Sequence, residues 1–351
     1  MNERYVILGY IRTLEPVAIT YRKGKKGGYV ETLKYIPSST ILGSIISYIG
    51  SEIENKEITY QDFPREYGEA LFTPAFPVDF QGRIKIEDPL PLPFKTIAKD
   101  KNGKHVSVAI KWAEFFDKLD KEVLNYLTSL DYKVEYGFWY FDGNDVRRFA
   151  PKTITYTHVA LSYSTRTSLK GYLYTVEALS PGETFVFKAC ISERLFETLR
   201  ETDPVTLKIG SAKSRGYGLV KITIDNSVSL GDYIDGRYEK VKSMLDENNY
   251  ITVDFVSEAS IKKLEDLKKK ALYHRIMVSR TKRYYSFHGE NGELVEKFYM
   301  MSIVEPGSIL VLRNVDLKEL VRNEFPCPTH NNYLFFTSSI TQINNPLHFV
   351  R

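Results

Sequence analysis

The chain has 351 residues and a formal net charge of +4, long enough for two domains with a core each and too weakly basic for its whole surface to meet a polyanion. Any nucleic-acid contact must therefore be a local patch. Cys190 and Cys327 are far apart and form no C-x-x-C pair, which excludes a Cys-rich zinc module and argues against a disulfide framework, so an intracellular, cytoplasmic setting is expected. Met1-Asn2-Glu3-Arg4 lacks a signal-peptide pattern and no apolar run nears membrane-spanning length, so no membrane partner is expected.

Residues 5–14 read as a strand buried on both faces, followed by a basic glycine-rich loop from Arg22 and Lys23 to Gly28. Tyr35-Ile36-Pro37-Ser38-Ser39-Thr40 then leads into a helix whose apolar face is Ile41, Leu42, Ile45, Ile46 and Ile49. Ser38 or Ser39 can cap that helix, and a helix start with hydroxyls can also hold a phosphate. Residues 51–150 are less regular. The six prolines between Pro64 and Pro93 predict an extended, turn-rich insertion, and Trp112 to Leu127 have helical spacing.

Thr153–Leu161 and Lys170–Leu179 predict a β-hairpin whose Ser/Thr-rich tip contains Arg166. Ser180-Pro181-Gly182-Glu183 is a turn into a strand over 184–191, and a helix over 193–200 stops before Pro204. Next comes Lys208–Leu219, with Gly210, Gly216 and Gly218 interleaved with Ser211, Lys213, Ser214, Arg215 and Tyr217, and a strand begins at its end. Glycines let a ligand approach the backbone, Lys and Arg add charge, and a Tyr can stack on a base. A P-loop is excluded because Tyr217 follows Gly216, and a dinucleotide fingerprint because the loop opens a strand. The loop reads equally as a tight glycine turn with solvated charges.

With the insertion removed, the first half runs strand, helix, strand, strand, helix, strand, the ferredoxin-like order. The second half repeats it: strand Thr252–Val256, an amphipathic helix through Ile261, Leu264, Leu267 and Ala271, and strands either side of the Gly289–Gly292 turn. Strand Ile309–Leu312, helix Asp316–Arg322 and strand Tyr333–Phe336 complete the repeat. A Pro-Gly turn sits at 181–182 and again at 306–307, and linker-like composition around Asp225–Gly236 marks the boundary. The expected fold is α+β, with two tandem ferredoxin-like (RRM-like) domains, 1–232 with an insertion at about 51–150, and 233–351. Lys262–Arg283 carries nine basic residues against Glu265 and Asp266 and ends in Arg280-Thr281-Lys282-Arg283-Tyr284-Tyr285. Cations mixed with aromatics suit RNA, and they also suit a solvated face.

Tyr35–Gly43 before a helix and Gly210–Gly218 before a last strand together resemble the RAMP superfamily of CRISPR-associated proteins. A third block, His158, Gly171-Tyr172-Leu173-Tyr174, Glu177-Ala178-Leu179, Pro181-Gly182 and Phe185, looks like the Cas-five-like "Csx" subunit of type III-D effector complexes. The resemblance implies a non-catalytic subunit that grips the 5′ handle of the CRISPR RNA and touches the large polymerase-like subunit and a backbone RAMP subunit. By position it gives RNA contact to Gly210, Ser211, Lys213, Ser214, Arg215, Gly216, Tyr217 and Gly218, with Ser38 and Ser39 beside them. It places a thumb near Arg166 that reaches target RNA. Arg22 and Lys23 join these as candidate cations. Relatives with a Cys-based metal site in the insertion differ from this chain, so no metal or cofactor is expected. Two other functions share the fold. A Cas-six-like, metal-independent ribonuclease needs a general acid or base, for which His158 and His274 are candidates. A backbone subunit that cuts target RNA needs a loop Asp, for which Asp142 and Asp145 are candidates.

Overall fold

The computed structural model describes residues 3–23, 28–59, 62–68, 70–79, 84–132, 137–141, 144–161, 168–245, 249–260, 264, 267–288, 294–326 and 340–349. The first half is built on β1 (Arg4–Thr13). Ile7 and Ile11 enter a core beneath the helices, while Val6 and Leu8 enter a second core shared with the C-terminal half. Burial on both faces is why its sequence shows no polar alternation.

After β1 come β2 (Thr20–Lys23), β3 (Gly28–Thr32), α1 (Ser38–Tyr48), α2 (Phe63–Tyr67), β4 (Ala70–Phe72) and β5 (Phe76–Pro77). The insertion then supplies hairpin β6 (Ile97–Lys99) and β7 (His105–Ser107), helices α3 (Ala109–Lys118) and α4 (Lys121–Thr128), and hairpin β8 (Phe138–Phe141) and β9 (Val146–Phe149). One helix was expected where α3 and α4 stand. Leu119 breaks it with a left-handed φ of 53°, and Asp120 caps α4 by accepting the Glu122 amide at 2.8 Å.

The long hairpin β10 (Thr153–Leu161) and β11 (Ser168–Leu179) forms as expected, followed by β12 (Thr184–Ser192), α5 (Glu193–Glu201), β13 (Val205–Lys208) and β14 (Leu219–Ser229). β10 and β11 do not join the main sheet. They pair with β3 and β2 in a separate sheet, and the strand that takes the expected place is the short β4. The main sheet runs β13-β14-β1-β12-β4, with β5 also on β12. Counting β1, β4, β12 and β14 as first to fourth, the spatial order is fourth, first, third, second.

No linker follows. Asp225–Ser229 continue β14, and Leu230–Ser243 form α6, which Ser229 caps through the Asp232 amide. The second half then runs β15 (Tyr250–Phe255), β16 (Ala259–Ser260), β17 (Ala271–Arg275), β18 (Val278–His288), β19 (Leu294–Val304), β20 (Ile309–Arg313), α7 (Leu317–Arg322) and β21 (Thr341–Ile343). Leu264 and 267–269 are helical between β15 and β17, but Ala271, expected in that helix, starts a strand. The expected strand at Tyr333–Phe336 lies outside the described residues. The sheet order β17-β20-β15-β21 is again fourth, first, third, second when read from β21.

Buried polar groups tie the halves and the insertion together. The Arg237 guanidinium on α6 donates to both Glu324 oxygens, at 3.1 and 2.6 Å, and to the carbonyls of Ile343 (2.8 Å) and Glu87 (3.1 Å). Tyr233 donates to the same carboxylate at 3.0 Å. In the sealed core, Ser107 of β7 lies 2.6 Å from His348 Nδ1, whose Nε2 lies 3.0 Å from Asp254 of β15. The order of residue types mimics a hydrolytic triad, but all three are buried, so no substrate reaches the hydroxyl. No helix among the described residues is long and apolar enough to cross a membrane.

Candidate nucleic-acid interface

The loop between β13 and β14 owes its path to four left-handed residues: Gly210 (φ 77°), Ala212 (59°), Gly216 (81°) and Gly218 (97°). A Cβ on Gly210 would stand 2.5 Å from the Ala18 carbonyl oxygen, and one on Gly218 2.3 Å from that of Ile209. Those two glycines therefore serve close approach of the chain to itself, correcting the expectation that they open the backbone to a ligand. Gly216 differs, since nothing lies within 4 Å of its Cβ position.

Backbone bonds anchor both ends of the loop. The Ser211 amide and hydroxyl both donate to the Ala18 carbonyl, at 2.8 and 3.0 Å, so this hydroxyl already has a protein partner. Gly218 N–H donates to Pro16 O at 2.8 Å, and Ile209 N–H to Gly218 O at 2.9 Å. Between the anchors, Lys213–Arg215 form one 3₁₀ turn, and Lys213, Ser214 and Arg215 are all exposed. The Lys208 ammonium donates to the Lys213 carbonyl at 3.2 Å, which steadies the turn.

Tyr217 is not available to stack on a base. Its side chain is 4% exposed, and its hydroxyl shares a hydrogen bond of 2.9 Å with His158 Nε2. Its ring meets Tyr156 edge-on at 5.7 Å. Burial pushes its pKa upward, so the hydroxyl stays protonated. His158 in turn stacks on Tyr174 at 5.2 Å, and the Arg215 guanidinium donates to the Tyr174 hydroxyl while lying 5.9 Å from its ring centre. A continuous chain of contacts thus joins the cationic turn to the middle of hairpin β10–β11, and sequence reasoning missed it. Glu177 stands in the quoted motif block, and the structure gives it a role the sequence does not show. Burial raises its pKa, yet hydrogen bonds from Lys34, Thr153 and the Thr32 amide outweigh that and hold its carboxyl below the usual range, tying β11 to the segment after β3.

Ser38 and Ser39 begin α1 at the end of the sheet where the loop lies. Ile36 bridges Ala75, and the adjacent Phe76 opposes Val186, which itself opposes Tyr10 near the end of β1. Neither serine caps the helix. Pro37 is the cap, its carbonyl accepting from the Thr40 and Ile41 amides at 3.0 and 3.2 Å, and Ser38 is buried. Arg22 and Lys23 lie on β2, opposite Glu31 and Val30, at the edge of the hairpin's sheet away from β10. Arg166 lies outside the described residues.

The candidate catalytic groups are scattered. His158 is engaged by Tyr217, and His274 lies on β17 in the other half, where burial and then Lys268 lower its pKa. Asp145 Oδ1 accepts the Val146 amide at 2.7 Å and lies 3.7 Å from the Lys104 ammonium, while Asp142 lies outside the described residues.

Structural comparison finds a chain of the Type III-B Cmr-beta complex bound to cognate target RNA, 12% identical, covering 94% of this chain and 92% of that one at a TM-score of 0.49. It also finds oligomeric Cmr4 from Pyrococcus furiosus, 14% identical, covering 64% and 99% at a TM-score of 0.27. Comparison with curated proteins finds no match. A sequence model of the RAMP superfamily matches residues 10–221, from β1 through the glycine loop into β14. The chain belongs to the RAMP superfamily.

Proposed function

We propose that this chain is a non-catalytic, RNA-binding subunit of a type III CRISPR effector complex, built of two tandem ferredoxin-like units. It grips the repeat-derived 5′ handle of the CRISPR RNA and contacts the large subunit and the first backbone subunit. The observation that carries this reading is the turn Lys213-Ser214-Arg215, exposed, cationic, and held rigid between backbone anchors at Ala18 and Pro16. Two cations and an open backbone at Gly216 suit a phosphodiester chain. Hairpin β10–β11, whose middle is coupled to the turn through Tyr174, His158 and Tyr217, is the thumb that engages target RNA.

The test is retention of handle RNA by the Lys213→Ala/Arg215→Ala protein on a filter. Weakened retention with a reduced salt dependence is expected, and binding equal to wild type overturns the reading. Specific cleavage of repeat RNA by the wild-type protein without metal overturns the non-catalytic assignment in favour of a ribonuclease.

A further inference from the structure

The ribbon β18–β19 has no part in the site described above. Its two strands pair through eleven register positions, from Val278↔Val304 to His288↔Leu294. β16 pairs only with Val304 and Ile303 at the root. The nine pairs from Arg280↔Ser302 outward have no third strand among the described residues, a length of about 30 Å at ~3.4 Å per residue. A two-stranded ribbon is marginally stable in water by itself, so one of this length calls for a partner.

Its sequence says which kind. The two strands hold Arg280, Lys282, Arg283 and Lys297 against the single carboxylate Glu296. Register sets Arg283 opposite Tyr299 and Tyr285 opposite Lys297, two positions apart and so on one face, with Phe287 next along it. That face alternates cations with aromatic residues across the strands. The exposed Arg275 of β17 adds a cation near the root. The ribbon also occupies, in the second half, the connection between second and third sheet strands that holds hairpin β10–β11 in the first. Each hairpin is followed by a Pro-Gly turn, at 181–182 and 306–307.

We infer that the ribbon β18–β19 is a second nucleic-acid contact, binding single-stranded RNA without sequence preference through the face of Arg283, Tyr285, Phe287, Lys297 and Tyr299. Phosphates meet the two cations, and bases stack on the rings between them. Cations interleaved with aromatic rings match a chain that carries both phosphates and stackable bases, which favours single-stranded RNA over a protein partner. This contact is separate from the glycine loop and does not depend on the handle.

The test is fluorescence anisotropy of the full-length protein with a labelled polyuridine strand, which contains no repeat sequence. Arg283→Ala/Lys297→Ala is expected to weaken binding about tenfold and to reduce the log–log salt slope by about 1.4. Tyr285→Ala/Tyr299→Ala is expected to weaken it about tenfold or more with the slope unchanged, because stacking releases no counterions. Ser286→Ala on the other face should leave affinity unchanged. Lys297→Glu provides a single-site variant should either double variant fold poorly, and it too should weaken binding. The inference is overturned if the wild-type protein does not bind polyuridine, or if the folded ribbon variants bind it as tightly as wild type. The two proposals fail separately: Lys213→Ala/Arg215→Ala should lose the preference for handle RNA over polyuridine yet keep polyuridine binding, and the ribbon variants should weaken polyuridine binding yet still bind handle RNA more tightly than polyuridine.

Discussion

The Tyr217 hydroxyl and His158 Nε2 meet at 2.9 Å across 59 positions of sequence, fastening the end of the glycine loop to the middle of β10. Tyr217 therefore acts on RNA through the position of Arg215 rather than by contact. Tyr217→Phe keeps the buried ring and loses one hydrogen bond, so thermal unfolding should show a loss of about 1 kcal/mol. Tyr217→Ala also removes the ring from its contacts with Tyr156 and His158, and should cost about 3 kcal/mol or more. In a handle-RNA titration Tyr217→Phe should bind more tightly than Lys213→Ala/Arg215→Ala. Equal losses would mean that the tyrosine itself touches RNA.

Two of the loop glycines should separate by substitution. Gly216→Ala meets only the left-handed backbone penalty, roughly 1 kcal/mol, since its Cβ position is open. Gly210→Ala adds a contact of 2.5 Å with the Ala18 carbonyl, which accepts both Ser211 bonds, so it should destabilise more and displace the turn. Chemical denaturation ranks the two, and handle binding should fall for Gly210→Ala and hold for Gly216→Ala.

These positions show how far sequence reaches. The strand–helix order, hairpin β10–β11 and the exposure of Lys213 and Arg215 follow from local patterns, since alternation, turn residues and charge act over a few positions. β4 was illegible because Ala-Leu-Phe among prolines carries no strand pattern, and its identity comes from its pairing with Leu71↔Cys190 at the centre. α6 was illegible for a different reason. Asp225–Gly236 reads as a linker by composition, whereas Tyr233, Arg237 and Val241 form the buried stripe of a helix. Tyr217 read as a stacking residue because its burial is decided by β10, which local sequence cannot show.

The Arg237–Glu324 pair should behave as a buried pair that is costly to break. Both side chains are at most 2% exposed, so removing one leaves the other without its counter-charge. Arg237→Met or Glu324→Met alone should each cost about 3–5 kcal/mol, with the double variant recovering part of that loss. Thermal melts of the three proteins give the coupling. Additive losses would show that the two groups are stabilised by their other partners, Ile343, Glu87 and Tyr233, rather than by each other.

Lys188 makes stability depend on pH. It lies on β12 with its ammonium 2.6 Å from the Asp88 carbonyl and 5.6 Å from the Tyr233 ring centre. Burial, and after it the Arg237 charge, lower its pKa from 10.5 to about 7. Because the folded value lies below the unfolded one, the unfolded chain binds the extra proton between about pH 7 and 10.5, and stability should rise with pH across that window. Below about pH 7 both states are protonated and this contribution levels off at its least favourable. Lys188→Met keeps much of the side-chain volume and removes the titration, so its melting temperature should exceed that of wild type at pH 7. The advantage should shrink towards pH 9. Parallel melting curves for the two proteins from pH 7 to 9 would show instead that the Lys188 amine reaches water and is charged in the fold.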